Sequence, residues 1–345
     1  MKKICLCGNF ANFKESFDGQ TIKTKTLYNE LKNKYGEKDL NVIDTYNWVR
    51  KPFKLFFNCL KQTNDVKNLI IMPAQNGVII LVPLFNILRI IRKYKVHYVV
   101  IGGWLPSLVK EKRFIKKELR KLEYIYVENN KTIDSLKELG FNNVVQMNNF
   151  KNLKISNNKK EIDNEVFKCC IFSRIDEKKG ILDAIEVINS INKKLKIKKT
   201  LKLDIYGQIA ADFKEKFATK LSESEDIDYK GIVKPNESVS VIEKYDLLLF
   251  PTKYYTEGIP GTIIDAFFAG LPVLASRWEN YSEILDENIT GISYEFDNNE
   301  DFENKLEYLI DNQEILNDMR ENCKKKAKKF LAKDSLDVLY KNFEE

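Results

Sequence analysis

The sequence predicts an α/β chain folded as two tandem doubly wound, Rossmann-like domains that face a cleft. Three observations carry this expectation. Short apolar runs alternate with longer amphipathic segments along most of the chain, the pattern of parallel strands covered by helices on both faces. The 345 residues exceed what a single hydrophobic core usually supports. The alternation is interrupted once, by the polar stretch 151–165 (KNLKISNNKKEIDNE), which has little apolar periodicity.

In the first half, apolar runs at 3–8, 40–45, 68–72, 98–102, 124–128 and 143–147 read as strands. Helical spacing fills 20–35, 52–61, 77–94, 110–121 and 131–139, and Gly140 suits the C-cap of the last. After the polar stretch the alternation restarts. Strands are expected at 168–173, 201–206, 228–231, 247–250, 273–276 and 292–294, with helices near 179–194, 211–222, 235–244, 261–269 and 282–285. The tail from Glu300 onward reads as helical. The expected division is a first domain over 1–150, a linker over 151–165, a second domain over 166–327, and a C-terminal helix over 328–345 that packs back on the first domain.

Composition narrows the function classes. With 43% apolar and 31% charged residues the chain is globular rather than disordered. Its longest apolar run, residues 78–91, is broken by Pro83, Asn86 and Arg89, so no membrane span is expected. Two lysines followed by a short apolar stretch make the N-terminus read as a buried first strand, not a signal peptide, and a cytoplasmic location is expected. Cys5, Cys7, Cys59, Cys169, Cys170 and Cys323 are scattered and form no CxxC pair, which predicts buried thiols rather than zinc ligands or disulfides. A single histidine, His97, removes most metal and imidazole chemistries. No metal site is expected. The motif Asp226-Ile227-Asp228, which could hold one, reads as a solvated loop.

Charge is unevenly spread. Residues 1–150 hold 26 Lys+Arg against 13 Asp+Glu, and the rest 31 against 37. The excess peaks between Lys110 and Lys121, with seven basic and two acidic residues and an apolar stripe of Phe114, Ile115, Leu119 and Leu122. This segment reads either as a surface helix docked on the core or as one that meets an anionic membrane surface. No nucleic-acid partner is expected, because no helix-turn-helix, zinc-finger or aromatic RNA-binding signature is present.

Ligands of open α/β sheets bind beyond the carboxyl ends of the strands. Two segments there carry chemistry. In Ser173-Arg174-Ile175-Asp176-Glu177-Lys178-Lys179-Gly180, a guanidinium and an ammonium five residues apart span a strand-to-helix turn and suit a diphosphate. In Glu257-Gly258-Ile259-Pro260-Gly261-Thr262-Ile263-Ile264-Asp265, glycines allow close backbone approach and a helix N-terminus offers free N–H groups. Either carboxylate, Glu257 or Asp265, can accept from a vicinal diol.

The run EGIPGTIIDAFFAGLPVLAS (257–276) resembles the signature of glycosyltransferase family 4, the retaining group 1 transferases of GT-B fold. Segments 173–180, 203–207 and 229–233 resemble further elements of that family, in order. The resemblance covers the second domain by motif and the first by architecture. It implies a nucleotide-sugar donor with no cofactor, Arg174 and Lys179 on its diphosphate, and Glu257 on the transferred sugar. Gly258, Ile259, Pro260, Gly261 and Thr262 would hold sugar and phosphates, Asp265 the ribose in place of the usual Glu, and main-chain groups around Val233 the base, with Gly207 a further donor-binding position. Gly19 and Gln20 would correspond to the first domain's glycine loop. The expected activity is transfer of a hexose or N-acetylhexosamine, with UDP-sugar favoured, to a glycan or lipid-linked acceptor in surface polysaccharide assembly.

The family often carries a His at the end of its fourth strand, whereas here that strand ends Gly102-Gly103-Trp104. These three residues would line the acceptor side instead. His97 reads as standing at the strand's start, the end away from the cleft, in a structural or surface role. Two other readings remain: a sugar-nucleotide 2-epimerase of the same fold, and a sugar-nucleotide-binding module without catalysis.

Overall fold

The computed structural model describes residues 3–14, 18–161, 163, 165–195 and 200–344. Residues 1–152 and 331–345 form one compact unit, and residues 153–330 a second.

The first unit is built on six parallel strands: β1 (Lys3–Gly8), β2 (Leu40–Asp44), β3 (Val66–Ile71), β4 (Lys95–Val99), β5 (Tyr124–Val127) and β6 (Val144–Gln146). Their order across the sheet is β2-β1-β3-β4-β5-β6. Residues such as Cys5, Cys7, Leu69 and Ile71 point to one face, and Ile4, Leu6, Ile70 and Met72 to the other. This is the period-2 pattern of a sheet buried on both sides. Helices Pro52–Gln62, Gln75–Arg92, Leu105–Glu111, Arg113–Leu119 and Asn130–Glu138 cover the first face. Helix Gly19–Tyr35 and the returning C-terminal segment cover the second. Asp18 and Asn129 cap their helices by accepting from the N–H of Thr21 (2.9 Å) and Thr132 (2.8 Å).

The second unit holds β7 (Val166–Phe172), β8 (Thr200–Tyr206), β9 (Ile227–Gly231), β10 (Leu247–Phe250), β11 (Val273–Ser276) and β12 (Gly291–Tyr294). All pair in parallel in the order β12-β11-β10-β7-β8-β9. The polar stretch after residue 152 is tied down here. Ser156 donates its N–H to the carbonyl of Phe268 at 2.8 Å, and Lys160 pairs with the buried Asp246. The expected two doubly wound α/β sheets are therefore present.

Three local expectations are corrected. The strand expected at 98–102 is β4, Lys95–Val99, because pairing with β3 already begins at Asn68 opposite Lys95. The chain then turns at Gly102, whose φ of 84° cannot extend a strand. His97 is thus central in β4, not at its start. The helix expected at 110–121 is two seven-residue helices, Leu105–Glu111 and Arg113–Leu119. Lys112 (φ −111°, ψ 84°) ends one and caps the next: its N–H donates to Leu108 and its carbonyl accepts from Lys116. Of the expected apolar stripe, Ile115, Leu119 and Leu122 are buried and Phe114 faces outward. The run broken by Pro83 and Asn86 is one continuous helix, Gln75–Arg92, long and apolar enough to cross a membrane. Its inner face, with Val78, Leu81, Val82 and Phe85, packs on the sheet.

All six cysteines are free, buried thiols. His97 is buried between Tyr126 (Nδ1 to hydroxyl, 3.0 Å) and Asn68 (Nε2 to Oδ1, 3.1 Å). Burial, aided by Lys95, pushes its pKa down to about 3. Asn342 of the returning segment donates to the same Tyr126 hydroxyl at 3.1 Å, and Phe343 sits edge-on to the imidazole at 4.9 Å.

Candidate active site

In the second unit, strand order reverses between β7 and β10, and the segments leaving these two strands meet there. From β7 the chain runs through Ser173 and Arg174 to a short turn at Glu177–Lys179 and then Gly180. Gly180 adopts φ 65°, and a Cβ on it would lie 1.8 Å from the carbonyl oxygen of Pro251, the residue after β10. Gly207, after β8, adopts φ 140°, and its Cβ would lie 1.8 Å from the Ser173 carbonyl oxygen. Only glycine allows these two contacts, and they draw the ends of β7, β8 and β10 together.

Lys179 and Glu257, both half-buried, form an ion pair across that junction. The Thr252 hydroxyl lies 3.5 Å from the same Glu257 carboxylate oxygen, and the Lys179 ammonium lies 5.9 Å from the centre of the Phe250 ring. The Glu257 backbone is pinned on both sides: its N–H donates to Tyr254 (3.1 Å) and its carbonyl accepts from Asn280 Nδ2 (2.8 Å). Arg174 is exposed, with Nε 3.6 Å from Asp176.

Gly258, Ile259 and Pro260 lead into the helix Gly261–Ala269, which begins without a side-chain cap. Its first N–H groups are the kind of donors that hold anions. The Thr262 hydroxyl donates to the carbonyl of Phe172, fixing the helix start to the end of β7. Asp265 lies buried within this helix. Val233 follows β9, while Gly207 donates its N–H to Gly231 at 2.9 Å and accepts from the Tyr229 hydroxyl at 2.9 Å. So Arg174, Lys179, Glu257 and 258–262 gather at the β7/β10 end, Gly207 and Val233 lie on the β8/β9 side, and Asp265 sits inside the helix. Sequence reasoning missed Thr252 and Asn280, whose hydroxyl and amide hold Glu257. The Pro-Thr pair directly after β10 was the available signal.

The first unit has its own reversal, between β1 and β3. A cavity of about 310 Å³ opens there, lined by Asn9, Gln20, Tyr46, Asn47, Trp48 and Gln75 among others. Gln20 donates to the carbonyl of Met72 at 3.0 Å, and Gly19 is the first helical residue. The loop before it has three successive non-glycine residues at positive φ, Ala11, Asn12 and Phe13. Asp44, at the end of β2, stabilises this bend by accepting from the N–H groups of Phe10 (2.9 Å), Asn12 (2.8 Å) and Tyr46 (2.9 Å). Gly102 and Gly103 lie beyond β4, and the Trp104 indole N–H donates to the Ile101 carbonyl at 2.7 Å. That N–H is therefore engaged within its own turn.

A model for the family of glycosyl transferases group 1 matches residues 149–330, which include the whole second unit. Among solved structures, the chain superposes on Anabaena Alr3699/HepE, in complex with UDP and glucose, with a TM-score of 0.73 at 11% identity over 100% of both chains. For sucrose-phosphate synthase of Thermosynechococcus elongatus the TM-score is 0.75 at 12% identity, covering 99% of this chain and 98% of that one. A variant of S. aureus TarM, with alpha-GlcNAc-glycerol and UDP among its ligands, gives 0.67 at 19% identity, covering 84% of this chain and 59% of that one. These likenesses concern the fold. A Klebsiella pneumoniae protein named for its 41.2 kDa mass and its place in a cps region is 25% identical over 195 residues. The aligned part is 54% of this chain, which spans about half (49%) of that relative's length.

Proposed function

The chain belongs to the group 1 glycosyl transferases, whose model spans more than half of it, and on that premise we propose the reaction it performs. It is the retaining transfer of a hexose or N-acetylhexosamine from a nucleotide-diphosphate sugar, a UDP-sugar by preference, to a glycan or lipid-linked acceptor. The observation that carries this reading is the half-buried Lys179–Glu257 pair beside an uncapped helix start at the β7/β10 junction.

In this reading the donor diphosphate takes the Lys179 ammonium from Glu257 and gains the exposed Arg174 guanidinium and the first N–H groups of the helix Gly261–Ala269. These groups neutralise the charge that develops as the bond between the sugar's anomeric carbon and the diphosphate oxygen breaks. That neutralisation takes over the role a metal ion plays elsewhere. Glu257, released from Lys179 and still held by Thr252 and Asn280, accepts from hydroxyls of the transferred sugar. Asp265 serves the ribose and main-chain groups near Val233 the base. The acceptor hydroxyl attacks the anomeric carbon from the face the diphosphate leaves, and the departing diphosphate oxygen takes its proton. The amide and aromatic lining of the first unit's cavity suits a neutral sugar, because amides both donate and accept and flat rings cover apolar sugar faces. Surface-polysaccharide assembly is the setting this reading favours, in keeping with a relative from a cps region.

The test is a panel of nucleotide sugars read by thermal shift, followed by product analysis with the donor that stabilises most. A ligand at 100 times its Kd adds about 2.7 kcal/mol. An α-configured product from an α-configured donor supports retention. Inversion, epimerised donor, or stabilisation by no nucleotide sugar would overturn the reading.

A further inference from the structure

Three neighbouring helices on one face of the first unit turn large apolar side chains outward. Phe53 and Phe57 project from Pro52–Gln62, Ile87, Ile90 and Ile91 from Gln75–Arg92, and Phe114 from Arg113–Leu119. Each is between 61% and 82% exposed. The helices are locked side by side. Arg92 donates to the Leu60 carbonyl and to the Thr63 hydroxyl (2.7 Å), and Asn86 donates to the Glu118 carbonyl and carboxylate (both 2.9 Å). The outward side chains therefore form one ridge on a fixed platform. Their opposite faces bury Leu55, Val82, Phe85 and Ile115 against the sheet. An ordinary core helix needs only that inner stripe, and large apolar side chains turned outward on three adjacent helices exceed the scattered exposure normal for a surface.

The charges around the ridge are mostly of one sign, with Glu111 an exposed exception. From Thr45 to Lys95 the sequence holds nine Lys and Arg residues and one acidic residue, Asp65. The segment 110–121 adds seven basic residues, and its Glu118 is buried against Asn86 and Lys121. Lys54, Lys112, Arg113 and Lys117 are exposed beside the phenylalanines.

We propose that this face seats the protein on an anionic lipid leaflet. The phenylalanines and isoleucines enter the headgroup–acyl boundary, and the lysines and arginines meet lipid phosphates. Apolar insertion with cationic flanks is the physical pattern of interfacial helices. Charge complementarity selects this occupant: a second copy of the chain would bring the same basic rim against itself. The inference rests on the surface alone and is independent of the transfer reaction.

Co-sedimentation with vesicles tests it, using phosphatidylcholine alone and phosphatidylcholine with an equal share of phosphatidylglycerol. The full-length protein pellets with the anionic vesicles and stays in solution with the neutral ones. Joint substitution Lys112→Glu, Arg113→Glu, Lys116→Glu and Lys117→Glu lowers partitioning on the order of a hundredfold or more, since each charge near the surface is worth about fivefold. Phe53→Ser with Phe57→Ser lowers it roughly tenfold or more and removes the binding that survives high salt. These positions are exposed or, for Lys116, partly exposed, and an unchanged thermal melt verifies that each variant is folded. Failure to pellet with anionic vesicles at low salt overturns the proposal. So does wild-type partitioning by the Phe53/Phe57 variant, or a concentration-dependent dimer that this variant abolishes.

Discussion

The two units share six parallel strands yet reverse direction at different places, β1/β3 in one and β7/β10 in the other, and the two junctions carry opposite chemistry. The second unit's junction is built from charge and glycine: Arg174, Lys179 and Glu257, with Gly180 and Gly207 pressed against backbone oxygens. The cavity at the first unit's junction is lined by neutral groups, among them amides and aromatic rings. Its bend is held by one carboxylate, Asp44, rather than by glycine. Anions need fixed donors close to the backbone, whereas neutral hydroxylated ligands need groups that both donate and accept. In the proposed reading the same architecture thus serves two kinds of ligand by changing what stands at the strand ends.

The sharpest way to break this contrast is at Gly207. Gly207→Val places a Cβ against the Ser173 carbonyl at a φ that β-branched residues avoid. It should cost ~4 kcal/mol or more in denaturant unfolding and abolish nucleotide binding. An unchanged midpoint would mean that the turn is not glycine-dependent. Next comes the charge itself. Arg174→Ala and Lys179→Ala should each reduce kcat/KM by about 2–4 kcal/mol of transition-state stabilisation while circular dichroism and melting stay normal. Wild-type turnover in both would dissolve the assignment of this junction to a diphosphate.

A third effect belongs to the first unit. The folded pKa of His97 is depressed to about 3, so the unfolded chain binds the extra proton below about pH 6.5. Above that pH the imidazole is neutral in both states and contributes no pH dependence. Below it, stability should fall on the order of 1 kcal/mol per pH unit until about pH 3. His97→Phe should flatten this limb in urea titrations at stepped pH. The smallest effect is expected at Gly19. A Cβ there meets nothing within 4 Å, so Gly19→Ala should change stability by less than about 0.5 kcal/mol. If it also leaves Kd for UDP unchanged, no close approach of the ligand requires glycine at position 19.

The second junction was legible because its chemistry leaves marks on a linear sequence. Arg174 and Lys179 stand five apart, and Glu257 precedes a glycine-flanked helix start. The first junction was not, because Asn9 and Tyr46 come from two separate loops and Gln75 from the start of a helix, and all three are residue types common in such places. Asp44 fell inside the strand expected at 40–45, and only folding brings it to the N–H groups of Phe10 and Asn12. The outer isoleucines of Gln75–Arg92 were hidden for another reason. Apolar periodicity reports that a helix buries a face, and here both faces are apolar. The shift of β4 followed from pairing with Asn68 of β3, a tertiary constraint that no local run contains.

The return of residues 331–345 to the first unit has a consequence for biosynthesis. The second unit is one uninterrupted stretch of chain, 153–330, and can fold as soon as it leaves the ribosome. The first unit is split. Leu336, Leu339 and Phe343 complete the core against Leu27 and Leu31, and Asn342 completes the hydrogen bonds around Tyr126 and His97. At about 5–20 residues per second the ribosome needs roughly ten to forty seconds to make the intervening stretch. For that time the part of the nascent first sheet that the C-terminal segment will cover stays open, and its exposed apolar surface is a place where a chaperone would act.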